Sequence, residues 1–223
     1  MNFSEKLILA LDFENAPEAI RWVEMCLPFV KTFKVGLGLF TQEGPSIVRE
    51  IQNRGGKVFL DLKFHDIPNT VRHACEAVRS LNVFMLNVHC IGGVEMMKRA
   101  SEVFKTMPSK PLLIGVTILT SLPSSEKRVL DLGNQAKEAG LDGVVCSVKE
   151  VKSIKSKCGK TFITVTPGIR LEESSVKNDD QKRSSTIQEA LASDSDFLVL
   201  GRSLFQSKDP LKFLKNTIEK FSL

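Results

Sequence analysis

Tyrosine is absent from the 223 residues, and tryptophan occurs once, at Trp22. A surface that stacks nucleobases needs exposed aromatics among its basic residues, and here the phenylalanines fall mostly in core-like patterns. The excess of positive charge is also small: 31 lysines and arginines against 26 acids give +5. It permits an anionic ligand and does not by itself indicate nucleic acid. The five cysteines (Cys26, Cys75, Cys90, Cys146, Cys158) are odd in number and widely spaced. Without a CxxC or Cys/His ligand pattern, neither a zinc site nor a disulfide framework is expected. No apolar run approaches the ~18 residues of a spanning helix, and no low-complexity tract interrupts the chain. Met1–Lys6 shows no basic stretch ahead of a cleavable apolar run, so a soluble cytoplasmic protein with reduced thiols is expected.

What is present is alternation. Short apolar runs, rich in β-branched residues, occur at 7–11, 32–35, 57–60, 84–88, 112–118, 143–146, 162–165 and 197–200. Stretches with helical spacing follow them, near 16–27, 43–54, 68–80, 92–106, 125–139, 148–157, 186–193 and 209–220. Uniform apolarity suits parallel strands covered on both faces. Eight alternations in 223 residues give about 28 residues per unit, the size of a βαβ repeat. A single (β/α)8 TIM barrel domain spanning 1–223 is the expected α/β fold, with a doubly wound open sheet as the alternative. Helix starts agree: Asn15-Ala16-Pro17-Glu18 offers a capping side chain and an early proline. The polar segment at about 168–184 is the one long stretch without a regular pattern, as in a lid or binding loop.

Ligands of such barrels meet the carboxyl ends of the strands, which directs attention to the polar residues there. They are Asp12, Lys34, Asp61, Lys63, His89, Thr120, Gly168, Arg170, Gly201 and Arg202, with an unassigned Ser147 after the sixth run. Since Asn15 already serves as a cap, Asp12 is available for a ligand hydroxyl. Lys34 alone reads as a surface lysine, and His89 as a structural histidine. The dense cluster is Asp61-Leu62-Lys63-Phe64-His65-Asp66. Asp61 and Lys63 stand two apart, so an extended chain would point them to the same side. The bland reading is a salt bridge followed by an Asp66 or Asn69 helix cap. Three charges within six residues at a strand end favour an alternating array, in which a lysine serves as a positioned proton donor. Gly201-Arg202 after the last run, with Gly168 after the seventh, fits a phosphate site.

The segment DLKFHDIPNTV at 61–71 resembles the signature of the orotidine 5′-phosphate decarboxylase family. The resemblance extends through LALDF (9–13), KVGLGLF (34–40), NVHCIGG (87–93), VTILTS (116–121), TPGIR (166–170), DQKR (180–183) and LVLGRSLF (198–205). It implies a cofactor-free decarboxylation of orotidine 5′-phosphate to UMP, with no metal. Lys63 would be the proton donor, Asp61 would lie beside the departing carboxylate, and Lys34 would complete the charge array. Asp66, Ile67 and Thr70 would reach the neighbouring subunit's site, which implies a homodimer. Asp12 would bind ribose hydroxyls and Thr120 the pyrimidine edge. Arg170, Gln181, Gly201 and Arg202 would hold the phosphate, with Gln181 on the lid. Leu171, Asn178-Asp179, Ser184-Ser185-Thr186 and Ser203 depart from the family pattern.

Other readings of the residues are a metal-dependent phosphosugar enzyme on the same barrel, a nucleic-acid-binding protein and a non-catalytic nucleotide-binding barrel. The first needs an acidic or histidine metal shell that the sequence does not assemble.

Overall fold

The computed structural model describes residues 2–170 and 185–221. Its core is a closed barrel of eight parallel strands: β1 (Leu7–Ala10), β2 (Thr32–Gly36), β3 (Lys57–Phe64), β4 (Met85–His89), β5 (Leu112–Val116), β6 (Gly143–Val145), β7 (Ile163–Thr166) and β8 (Phe197–Leu200). Each strand pairs with its sequence neighbours, and β1 pairs with β8 to close the ring through Leu7↔Leu198, Ile8↔Val199 and Leu9↔Leu200. The open-sheet alternative is thereby set aside.

Alternation along each strand divides the apolar residues into two cores. Ile8, Ala10, Phe59, Met85, Ile114, Val165, Phe197 and Val199 point inward and fill the barrel. Their strand neighbours, among them Leu7, Leu9, Phe33, Leu60, Leu86 and Leu198, face the surrounding helices. Inward positions at the lower and middle levels are therefore mostly a packed apolar plug, and the charged inward residues of the cavity lie toward the carboxyl ends.

Helices begin where the sequence marks them. Asn15 Oδ1 accepts from the Glu18 N–H at 3.0 Å, capping Ala16–Cys26. Ser125 caps Glu126–Glu138, and Pro45 and Pro210 each open a helix. Ser147 proves to be a helix start: its N–H donates to Glu150 at 2.8 Å ahead of Val148–Cys158. Several short elements carry too few residues to show a period. These are the helices Leu37–Glu43 and Arg202–Phe205 and the two-residue strands Ile169–Arg170 and Ser185–Thr186. The last two pair in parallel, Ile169 with Ser185 and Arg170 with Thr186, beside β8.

The amino-terminal end of the barrel is held by two similar clamps. Asp142, just before β6, accepts from the Leu113 N–H at 2.9 Å and from Lys110 at 2.7 Å. Asp196, just before β8, accepts from the Thr164 N–H at 2.7 Å and from the largely buried Lys155 at 2.6 Å. Each carboxylate ties one strand's start to its neighbour, far from the carboxyl ends. Charge-assisted bonds of this kind are about twice as strong as neutral ones.

Candidate active site

The carboxyl ends of the strands surround a cavity of about 220 Å³ lined by Asp12, Lys34, Asp61, Lys63, Thr120, Gly168, Arg170, Gly201 and Arg202. A neighbouring cleft of about 540 Å³ shares Asp12, Lys34, Asp61 and Lys63. The floor is the apolar plug: Ala10, Phe59, Val165 and Val199.

The charged side chains form a chain of alternating sign. Asp12 Oδ1 lies 3.0 Å from Lys34 Nζ, which is 3.3 Å from Asp61 Oδ2. Asp61 Oδ1 lies 2.8 Å from Lys63 Nζ. Strand geometry places them: Lys34 shares the inward face of Thr32 on β2, and Asp61 follows Phe59 inward on β3. Asp61 is buried at 7% exposure. Burial alone would push its carboxyl up. The Lys34 and Lys63 ammoniums, with hydrogen bonds from Lys63 and Asn87, overcome that and hold it below the usual carboxylate range. Burial likewise disfavours a charged Lys34, but Asp61 and Asp12 outweigh it and hold the ammonium above its ordinary value. Asp61 and Lys34 are therefore both charged at neutral pH.

The backbone at Lys63 corrects the simple extended-strand picture. Its φ is +50°, in the left-handed region, and the β3–β4 register shifts between Leu60 and Phe64. Lys63 reaches Asp61 from a turned strand end. Side chains in this backbone region cost about 1–3 kcal/mol and persist only where surroundings enforce them. The enforcing group is Asn87 on β4, whose Oδ1 accepts from the Lys63 N–H at 2.8 Å and whose Nδ2 donates to Asp61 Oδ1 at 2.6 Å. Sequence reasoning passed over Asn87, although an amide inside an otherwise apolar run was the available signal.

His89 lies at the end of the same strand, half-buried, its ring 5.5 Å from that of His65. Burial pushes its pKa down, His65 and Lys63 add to this, and Asp61 opposes them. Its Nδ1 is buried without a hydrogen-bond partner among the described residues, so it is not the satisfied structural histidine expected.

Asp66, Ile67 and Thr70 are exposed and do not line the cavity of their own chain. Nor do Asp66 and Asn69 cap the next helix: the N-cap of Pro68–Val78 is Ile67, without a side-chain cap bond. Asp66 Oδ1 instead accepts from the Ile67 N–H at 2.7 Å. Gln181, Leu171, Asn178, Asp179 and Ser184 lie outside the described residues.

On the side where a phosphate is expected, Gly168 adopts φ +76°, a left-handed conformation suited to glycine, just before Ile169–Arg170. Ser203 is fully buried, and its hydroxyl donates to the Ile169 carbonyl at 3.1 Å. It thereby joins the loops bearing Arg170 and Arg202, giving a structural role to one departure from the family pattern. Among the described residues, no three His, Cys, Asp or Glu side chains converge as a metal site requires.

Comparison with known proteins follows the same lines. The family model described as "Orotidine 5′-phosphate decarboxylase / HUMPS family" matches residues 5–216. An orotidine 5′-phosphate decarboxylase of Legionella pneumophila (strain Corby) is 51% identical over 217 residues, covering 92% of this chain and 94% of its own. That of Nitrosococcus oceani is 43% identical, covering 94% of each chain. Among solved structures, an orotidine 5′-phosphate decarboxylase from Lactobacillus acidophilus superposes with TM-score 0.81 at 32% identity, covering 97% of this chain and 98% of that one. An uncharacterized conserved protein from Geobacillus kaustophilus gives the same TM-score at 35% identity, covering 97% of this chain and all of that one.

Proposed function

The chain belongs to the orotidine 5′-phosphate decarboxylase / HUMPS family, and from that membership we propose a cofactor-free carboxy-lyase chemistry for its site. The reaction is decarboxylation of orotidine 5′-phosphate to UMP and CO2, the last step of de novo pyrimidine biosynthesis. The Asp12–Lys34–Asp61–Lys63 array is the observation that carries this reading.

The C6–carboxylate bond breaks with its electron pair left on C6, and CO2 departs. Lys63 Nζ–H delivers a proton to C6, giving UMP, and the neutral amine regains a proton from water. Negative charge develops at C6 in the transition state, where a preorganised ammonium stabilises it without reorganising. Asp61 orients that ammonium and lies beside the departing carboxylate, while Lys34 balances Asp61 and contacts the ribose. Asp12 takes the ribose hydroxyls and Thr120 the pyrimidine edge. Arg170, Gln181, Gly201 and Arg202 take the phosphate.

The active unit is a homodimer of single-domain barrels in the cytoplasm. Support for the dimer comes from the carboxyl-end rim. Leu37, Ile67, Ile91 and Leu122, which follow β2, β3, β4 and β5, are all large and exposed, Ile67 at 67%. Burying such a rim against a second copy would carry Asp66, Ile67 and Thr70 toward the partner's cavity. The five thiols are free and buried, in keeping with a reducing compartment, and no helix among the described residues is long and apolar enough to cross a membrane.

The test is an ultraviolet assay for conversion of orotidine 5′-phosphate to UMP by purified protein, with and without chelator. Turnover unaffected by chelator is expected. Absence of turnover, or its loss on chelation, overturns the reading.

A further inference from the structure

On β4, period-two alternation puts Met85, Asn87 and His89 on the inner face. Met85 belongs to the apolar plug, and Asn87 above it is 0% exposed. An amide in that position is costly unless its polar atoms are paired. Here both ends are used, and chemistry fixes which end faces which partner. The Asp61 carboxylate can only accept and the Lys63 N–H can only donate, so the amide cannot be flipped. One side chain thus holds the charged neighbour of the lysine and the backbone of the lysine itself.

We propose that Asn87 is a positioning residue for decarboxylation, clamping the left-handed turn at Lys63 and the Asp61 carboxylate as one unit aimed at C6. The inference rests on the reading of Lys63 as proton donor. Asn87 touches neither substrate nor the reacting carbon; it acts through Lys63 and Asp61. Without it the strand end at Lys63 has no side-chain acceptor for its N–H. The turn then relaxes toward an ordinary backbone and carries the ammonium away from Asp61. Misplacement by about 1 Å costs on the order of 100-fold in rate.

Two variants and one rate-independent measurement test this. Asn87→Ala is expected to lower kcat about 100-fold while KM stays within about threefold, since the ribose and phosphate contacts are untouched. Exchange of the UMP C6 proton with deuterium from solvent, the reverse of protonation by Lys63, should slow in parallel.

Asn87→Asp keeps an acceptor for the Lys63 N–H but sets a second carboxylate against Asp61. It meets Asp61 directly, Lys34 and Lys63 through their ion pairs with Asp61, and His89 stands two residues on along the same strand face. A proton shared by the carboxylates restores the missing donor, so kcat of this variant should rise as pH falls, a limb the wild type lacks. Amide hydrogen exchange at Lys63 should be slow in the wild type and fast in Asn87→Ala.

A folded Asn87→Ala with kcat within about threefold of wild type overturns the clamp. So does a wild-type pH profile in Asn87→Asp, or equal exchange at Lys63 in wild type and Asn87→Ala. If the wild type protects the Lys63 amide and yet fails to decarboxylate orotidine 5′-phosphate, the functional reading falls and takes the positioning role with it, while the structural clamp on Lys63 stands.

Discussion

The Lys63 ammonium lies 2.8 Å from Asp61 Oδ1 across a strand end that turns left-handed at the lysine itself. Their contact is a product of tertiary structure, held from β4, and the chemistry assigned to Lys63 depends on it.

Replacing Lys63 by alanine removes the proposed proton donor and leaves the other array members in place. Loss of a general acid costs about 10²–10⁴-fold. Steady-state assays of Lys63→Ala should show that fall mainly in kcat. Near wild-type turnover would remove Lys63 from the mechanism.

Arg202 tests the use of distant binding energy. A hydrogen bond to a charged group contributes about 1.5–3 kcal/mol, so Arg202→Ala should lose on the order of 10–100-fold in kcat/KM. Phosphate-free orotidine should be a poor substrate for the wild type in kcat as well as KM, and the variant should be no worse with it. An equal penalty on both substrates would place Arg202 away from the phosphate.

His89 gives the protein a pH-dependent stability of definite sign. Its folded pKa lies below the ordinary value, from burial first and then from His65 and Lys63. The unfolded chain binds a proton at His89 as pH falls through ~6.5, while the folded chain resists it. This contribution to stability is present above that pH and is lost as pH falls toward the folded pKa. Thermal unfolding should show the wild type losing more stability than His89→Gln between about pH 7 and 5.5. Parallel curves would deny His89 this role.

Reassortment of subunits tests the proposed sharing of a site between two copies. Lys63→Ala and Asp66→Ala homodimers should each be impaired. Random exchange places one intact site in each heterodimer, restoring about one quarter of the sites. Mixtures no better than the sum of their parts would confine Asp66 to its own chain.

The barrel was legible because eight apolar runs and their intervening helices repeat at near-constant spacing, and the structure closes those runs in order. Asp12, Asp61 and Lys63 stood out as charges at the ends of buried strands, whereas Lys34, which alone read as a surface lysine, is largely buried between Asp12 and Asp61. Two-residue alternation anticipated the meeting of Asp61 and Lys63 but not the backbone behind it, since a left-handed lysine depends on a partner 24 residues away. Asn87 escaped because a lone amide barely disturbs an apolar run. Ile169–Arg170 and Ser185–Thr186 escaped because two residues show no period. Asp66 stood out as the third charge of its cluster, but a role across a subunit boundary was legible only through the family resemblance, since within one chain it does not line the cavity.

The clamps at Asp142 and Asp196 have a consequence for how this barrel can change. They secure closure at the end opposite the candidate site. Substitutions on the opposite rim, including those that add backbone strain or remove a charge, therefore draw on a reserve kept elsewhere. Laboratory selection for new phosphorylated substrates should accumulate changes on that rim and leave Asp142, Asp196 and Lys155 alone. The molecule separates what keeps it folded from what is free to vary.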